Sequence, residues 1–450
     1  MSGRILRVFL PVSVILAVLA LPGCLPRPQA RFFADVKEGR TPLTVQFEDK
    51  SYLEKSVEIV SWEWNFGDGT TSAEQNPSHT YVLPGWFNVS LTVRTNRGQQ
   101  ATFVQTRMIH AIKGYADGGA WRPCEMMPVP GGVFTMGATD EEMGEADEYP
   151  RHEVNLSPYA IGKYEVTNRE FADMLNWALV FGSLSNDDGE PYDGGSIYFG
   201  REKMLDASQL DAILYDKAGQ YFYVASDIGA GGQQYSRAEH PVFGVTWIGA
   251  VIYCNWLSVR EGLEPAYEPG IWRCNLNATG YRLPTEAEWE RAAGWDGEAH
   301  WRYPFDSTVI TENWASFLNG YTGQHVNPMG LAREPFTSPA GWFNGVNVSP
   351  RGLLPVQDAV SPAGCYDMGG NVREWCNDWY PLGLSTYYTF CAAQGTVTDP
   401  AGPDGGAARV TRGGSWNSEG FYCRSANRGN TPAALGENTI GFRLCRSMNE

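Results

Sequence analysis

Positive charge is scarce in this chain. Over 450 residues, 34 Lys and Arg stand against 51 Asp and Glu, for a net charge of −17. That balance excludes nucleic acid as a partner, because phosphate binding needs a basic surface. It suits an exported protein or one that binds cations. No Cys-x-x-Cys pair occurs among the 9 cysteines, which removes zinc ribbons and thioredoxin-like redox motifs. Gly-x-Ser-x-Gly is missing, and with it a hydrolase nucleophile elbow. Gly413-Gly414 is followed by no helix signature, so it reads as a tight turn and not a phosphate loop. The apolar stretch from Val8 to Leu21 is too short to span a bilayer comfortably.

Aromatic and apolar residues are plentiful. Hydrophobic content is 43%, and 16 Trp accompany 51 Gly, which supports two or three domains with loops anchored by aromatics. Arg4 and Arg7 precede the Val8–Leu21 stretch as a basic leader does. The stretch ends in Leu21-Pro22-Gly23-Cys24, which resembles a bacterial lipobox apart from Pro22. The reading is a lipoprotein signal peptide over 1–24 with Cys24 as the lipidated residue; an ordinary signal peptide is the alternative. Leu25 stands where Asp would retain the protein at an inner membrane. The expected address is therefore the cell envelope, at an outer membrane or cell surface. The eight remaining cysteines are an even number in an exported chain and read as disulfides of unassigned connectivity.

Residues 25–31 form a tether. From 32 to 112 the pattern is β: Val60, Trp62, Trp64 and Phe66 alternate up to the Gly67-Asp68-Gly69 turn, and Phe87, Val89, Leu91 and Val93 alternate again. The string from Trp62 to Thr70, with Asn76-Pro77-Ser78-His79-Thr80-Tyr81 and Pro84-Gly85 after it, resembles a PKD domain. That implies an all-β, immunoglobulin-like sandwich acting as a spacer or adhesive module. His79 reads as a packed structural residue and Asp68 as a turn residue. Residues 113–121 are a linker.

Beyond 122 the pattern becomes mixed, with long loops. Thr167 or Asn168 caps a helix bearing Phe171, Met174 and Leu175 on one face. Trp247 to Val259 reads as a buried helix. Thr285 and Glu288 form a capping box. Residues 182–239 are an insertion with weak periodicity. The segments Val129–Gly137, Glu165–Phe171, Tyr281–Glu290, Gly370–Trp375 and Arg409–Trp416 together resemble the formylglycine-generating (sulfatase-modifying factor) family over 122–447. The resemblance implies an α+β, loop-rich variant of the C-type lectin fold.

It also implies sites. Asp367, Gly370, Val372 and Glu374 match the family's structural calcium positions, and oxygen donors of this kind suit a hard cation; the bland alternative is a helix start capped by Asp367. Asn313 matches one ligand of a second calcium site. The family's oxidases use two cysteines that bind copper(I) shortly after a Gly-Gly-Ser. Here Ser415 matches the serine, Ser418 holds the first cysteine position, and Cys423 has the spacing of the second. Copper binding is therefore not expected, since a hydroxyl cannot replace a thiolate for this soft metal. A Cys376–Cys423 disulfide is the structural alternative for Cys423. No two of the six histidines form a His-x-x-x-His pair, so a non-haem iron triad is unsupported. Arg412 and Arg443 are expected to pair with acids, and Glu286, Glu288 and Glu290 to face solvent or buried arginines. The functional expectation is a lipid-anchored binding or scaffold module for an extracellular protein or polysaccharide. The alternative is a formylglycine-generating oxidoreductase.

Overall fold

Alternation along the strands accounts for the first unit. In Leu43–Asp49 every second residue is buried, and Val45 and Phe47 are wholly so. The computed structural model describes residues 28–448, except 41–42, 54–56, 82–84, 113–123, 349–354 and parts of 181–233 and 382–385. The signal peptide, Cys24 and the linker lie outside the described residues. The chain divides into units of residues 1–114 and 115–450.

The first unit holds two sheets. One is Phe32–Ala34, Leu43–Asp49 and Ser78–Tyr81; the other runs Glu38–Arg40, Gln100–Ile112, Gly85–Thr95, Ile59–Asn65 and Thr71–Ser72. Trp64, Phe66, Val89, Leu91 and Val93 join Val45 and Phe47 in one core. His79 stacks on Phe66, with ring centroids 4.1 Å apart, and its Nε2 lies 2.7 Å from Asp68 Oδ2. Asp68 also accepts the Thr70 amide, so both act within the turn and core. The sandwich begins earlier than the sequence suggests. Gln29, assigned to the tether, bridges Tyr52, and Ala30 is buried.

Among the described residues of the second unit, short strands accompany four α-helices: α1 (Asn168–Val180), α2 (Trp247–Arg260), α3 (Glu286–Gly294) and α4 (Thr386–Gln394). Thr167 is the residue that closes the α1 start: its amide donates to Glu170 Oε2 at 2.8 Å, and the Glu170 amide donates back to its hydroxyl at 3.2 Å. Thr246 caps α2 through the Gly249 amide. That helix is apolar nearly all round and is buried accordingly. Among its described residues the insertion adds three small antiparallel sheets: Tyr192–Asp193 with Ser196–Phe199 and Glu202–Asp206, Ile213–Asp216 with Tyr221–Val224, and Ser226–Ile228 with Gln234–Ser236.

Helix α3 lies at the hub. The capping box is present, and every residue of the helix is buried, its three glutamates included. Each glutamate has an arginine. Glu288 is gripped by both Arg282 Nη atoms at 2.6 and 2.7 Å. Glu286 accepts from Arg428 Nε and Nη2 at 2.6 and 2.7 Å and from Arg412 at 3.0 Å. Glu290 accepts Arg412 Nη2 at 2.6 Å. Trp289 Nε1 reaches Glu374 Oε2, and Arg443 clamps that same carboxylate at 2.6 Å twice. Arg282, Arg412, Arg424 and Arg443 are among the largest fully buried side chains. Charges so removed from water are tolerable only when paired this closely.

His300 extends the network, 3.2 Å from Glu290 and 3.6 Å from Glu142. Burial alone would push its pKa down; the nearby carboxylates of Glu142 and Glu290 outweigh that and raise it from 6.5 to about 9. A group raised on folding contributes stability that is fully present below its unfolded pKa and lost as pH rises through the folded one. Urea unfolding between pH 6.5 and about 9 should therefore show the chain losing up to about 3 kcal/mol. His300→Gln should flatten that slope. A native chain whose stability holds constant across the window contradicts the assignment.

Candidate functional site

Arg412 ends the strand Ala408–Arg412, and its grip on α3 sets where the next residues emerge. Gly413 and Gly414 follow, with φ of +90° and +67°, a region L-residues with side chains avoid. Space makes the same demand. A Cβ on Gly414 would sit 2.8 Å from Cys423 Sγ, and one on Gly413 2.9 Å from the Met368 carbonyl oxygen.

The turn delivers Ser415. The Ser415 amide donates to Ser418 Oγ at 3.1 Å, the two hydroxyls are 3.0 Å apart, and the Ser418 amide donates to the Ser415 carbonyl at 2.9 Å. The loop is tied to the Gly370–Trp375 segment. The Gly370 amide donates to the Gly413 carbonyl and the Trp416 amide to the Asn371 carbonyl, each at 2.8 Å. A cavity of about 670 Å³ opens here, lined by Ser415, Ser418, Tyr422, Leu318, Arg373 and Glu437 among others. Arg373 and Glu437 pair at 2.7 Å, so the wall they form carries both signs of charge. The volume is that of a small-ligand or side-chain site.

Cys423 does not line this cavity. It lies behind Gly414, wholly buried, in an apolar cluster with Tyr303, Phe305 and Phe317. Burial pushes its thiol up to about 12. The expected disulfides are not formed: Cys124, Cys254, Cys274, Cys365, Cys376, Cys391, Cys423 and Cys445 are all free. Cys376 and Cys423 in particular face different cores, the former packing with the cluster that holds Trp289 and Val410.

The second candidate is the loop from Asp367 to Glu374. Asp367 is buried at φ +59° and accepts the Gly341 amide at 2.5 Å; burial raises its carboxyl to about 6. Gly370 has φ +93°, and a Cβ there would strike the Ser316 carbonyl oxygen at 2.4 Å. Val372 is buried, and its amide donates to Glu165. Glu374 is the partner of Arg443 and Trp289 described above.

Glu165 is a residue that sequence reasoning missed. It is fully buried, accepts from Asn371 Nδ2 at 2.8 Å, and is raised well above the usual carboxylate range by burial, then by Asp367 and Glu374. The available signal was its place at the head of the Glu165–Phe171 segment. Glu374, which Arg443 bonds, raises both Glu165 and Asp367 electrostatically, and closely placed hard oxygen donors of this kind suit a calcium-type cation. Among the described residues no three His, Cys, Asp or Glu side chains converge on a metal by themselves, so carbonyl oxygens would have to complete any such site. Asn313 offers its backbone carbonyl to the Gln357 amide at 2.9 Å and lies in a turn elsewhere.

The histidines are dispersed. His240 is buried against Thr337 and pushed down to about 3 by burial. His152 bonds the Pro150 carbonyl. His325 bonds Asn417 at 2.8 Å and packs on Trp416, next to the cavity.

Residues 118–448 match the family described as the sulfatase-modifying factor enzyme 1-like domain, and residues 26–110 match the PKD domain. A formylglycine-generating enzyme of Thermomonospora curvata is 32% identical over 71% of this chain and 92% of its own length. A Bos taurus relative named inactive C-alpha-formylglycine-generating enzyme 2 is 28% identical over 72% of this chain and 89% of its own. Among solved structures, Treponema denticola variable protein 1 is similar, at 22% identity and a TM-score of 0.46, over 72% of this chain and 95% of that one. With the family's domain spanning most of its length behind a PKD domain, the chain belongs to the sulfatase-modifying factor family.

Proposed function

We propose that this is a non-oxidase member of the family. In this reading it is an exported, lipid-anchored envelope protein whose Ser415–Ser418 cavity binds an extracellular protein or polysaccharide. The carrying observation is the hydroxyl pair. Ser418 faces Ser415 at 3.0 Å, and the nearby sulfur of Cys423 lies outside the cavity lining. Copper(I) wants two soft thiolates. These residues do not fit that ion. The name of the bovine relative is consistent with the scaffold outlasting the activity in this family.

The second reading is a formylglycine-generating oxidoreductase. Cys423 stands at the spacing of the family's second cysteine, and the Thermomonospora curvata relative bears that name. Incubation of the native chain with copper and a Cys-x-Pro-x-Arg peptide separates the two. The binding reading expects no mass change of cysteine to formylglycine. Copper-dependent conversion would make the oxidoreductase the correct assignment.

Calcium belongs to the same proposal as a structural ion, held by Asp367 and Glu374 with the carbonyls of Gly370 and Val372. The closely placed carboxylates of Glu165, Asp367 and Glu374 support it. Glu374→Ala is a poor probe, because it strands the buried Arg443 guanidinium, at a cost of about 3–5 kcal/mol. Asp367→Asn keeps the shape and removes one charge. Calcium at 100-fold over its Kd should stabilise metal-stripped protein by about 3 kcal/mol, and Asp367→Asn should require more calcium for the same rise in Tm. Superimposable melting curves of the metal-stripped chain with and without calcium would refute the site.

A further inference from the structure

The backbone around the Ser415–Ser418 cavity is largely spent, and its side chains are not. The amides of Leu318, Arg373, Ser415, Asn417, Ser418 and Tyr422 all donate within the protein. An extended peptide is held mainly by main-chain bonds to an open edge, and these six amides give it none. The side chains are the reverse. Asn417 gives its Oδ1 to His325 and keeps its Nδ2 hydrogens. None of the described residues bonds the Glu419 carboxylate, the Asn438 side-chain amide or the Tyr422 hydroxyl. All four side chains are exposed or half-buried, so a ligand can reach them. Together they offer donors, acceptors and groups that are both.

Two aromatic rings stand in water beside this set. Tyr422 is 43% exposed, and Tyr321 is wholly so. Tyr321 lies at the tip of the hairpin that pairs Leu318–Asn319 with Gln324–His325. That hairpin borders the cavity. Leu318 is one of the lining residues, and Gly320 touches Glu419, whose carboxylate a Cβ there would meet at 3.4 Å. Charge narrows the choice of occupant. Arg373 and Glu437 neutralise one another, which leaves Glu419 as an unpaired acid and disfavours an anionic ligand. A cation gains little from one carboxylate open to water.

We propose that the cavity binds a neutral saccharide, as the unit of an extracellular polysaccharide. This rests on the binding role proposed above for the same cavity and chooses between its two partners. A sugar ring carries hydroxyls that both donate and accept, which matches Asn417, Glu419 and Asn438. Neighbouring hydroxyls can each donate to one oxygen of Glu419, an acceptor-only group. The C–H face of the ring is apolar and lies on Tyr422, whose own polar end stays wet.

The test is a ligand-observed NMR titration of the full chain with maltotriose, cellotriose and triacetylchitotriose. Trigalacturonate is the anionic control, and a Cys-x-Pro-x-Arg peptide is the control for a protein partner. At least one neutral trisaccharide should bind saturably, and trigalacturonate should not. Glu419→Gln should weaken that sugar about tenfold, the loss of one hydrogen bond to a charged group. Tyr422→Ala should weaken it about fivefold through the lost ring. Both positions are exposed, so the variants keep the fold. Saturable binding of the peptide alone overturns the saccharide and leaves the cavity a binding site. Failure of all three neutral sugars to saturate, or a sugar affinity that neither substitution changes, also overturns the saccharide. Copper-dependent conversion of the peptide would instead overturn the binding role on which it rests.

Discussion

The buried acid row of α3 is the constraint on which the second unit depends. Glu286, Glu288 and Glu290 are carboxylates on a helix with no exposed face. Each would be intolerable there without its arginine. The arginines come from distant places in the chain: Arg282 just before the helix, and Arg412 and Arg428 from neighbouring strands. Because two charged groups fit only in one geometry, the network acts as a set of registry pins in a fold with little regular structure. Arg412 is the pin that matters for the cavity, since Gly413, Gly414 and Ser415 follow it directly.

From that pin the site follows by sterics. Two glycines with positive φ let the chain pass Met368 and Cys423 at distances no side chain would permit. The hydroxyls of Ser415 and Ser418 then point toward one another, and the sulfur of Cys423 is enclosed among aromatic rings. A soft-metal site needs thiolates exposed to the same space; this arrangement presents two hard hydroxyls and a thiol held protonated by burial. The same Gly370–Trp375 segment also meets buried acids, with Asn371 and Val372 donating to Glu165 and Glu374 pairing with Arg443. One backbone crossing thus serves two places of opposite chemical character.

Much of this was legible in the residues. The β alternation of Val89, Leu91 and Val93, the capping box at Thr285 and the apolar girth of α2 are local signals, and they appear as local structure. The long family-like segments located both loops of the site. What was not legible depends on contacts across the chain. Glu165 carries no periodicity or spacing that joins it to Asp367, and only folding brings them together. An even cysteine count reads as disulfides, with Cys376 as one partner for Cys423, but those two residues pack in separate cores. The start of the sandwich at Gln29 was hidden because a Pro- and Arg-containing stretch reads as a tether until its partner, Tyr52, is known.

The central claim is that Cys423 is a buried, reduced, unreactive thiol beside a hydroxyl cavity. Alkylation of the native chain, followed by mass mapping of each cysteine, tests it most directly. Cys423 should prove a free thiol that stays unlabelled until the protein is denatured. Rapid native-state labelling of Cys423, or its recovery in a disulfide, would contradict it.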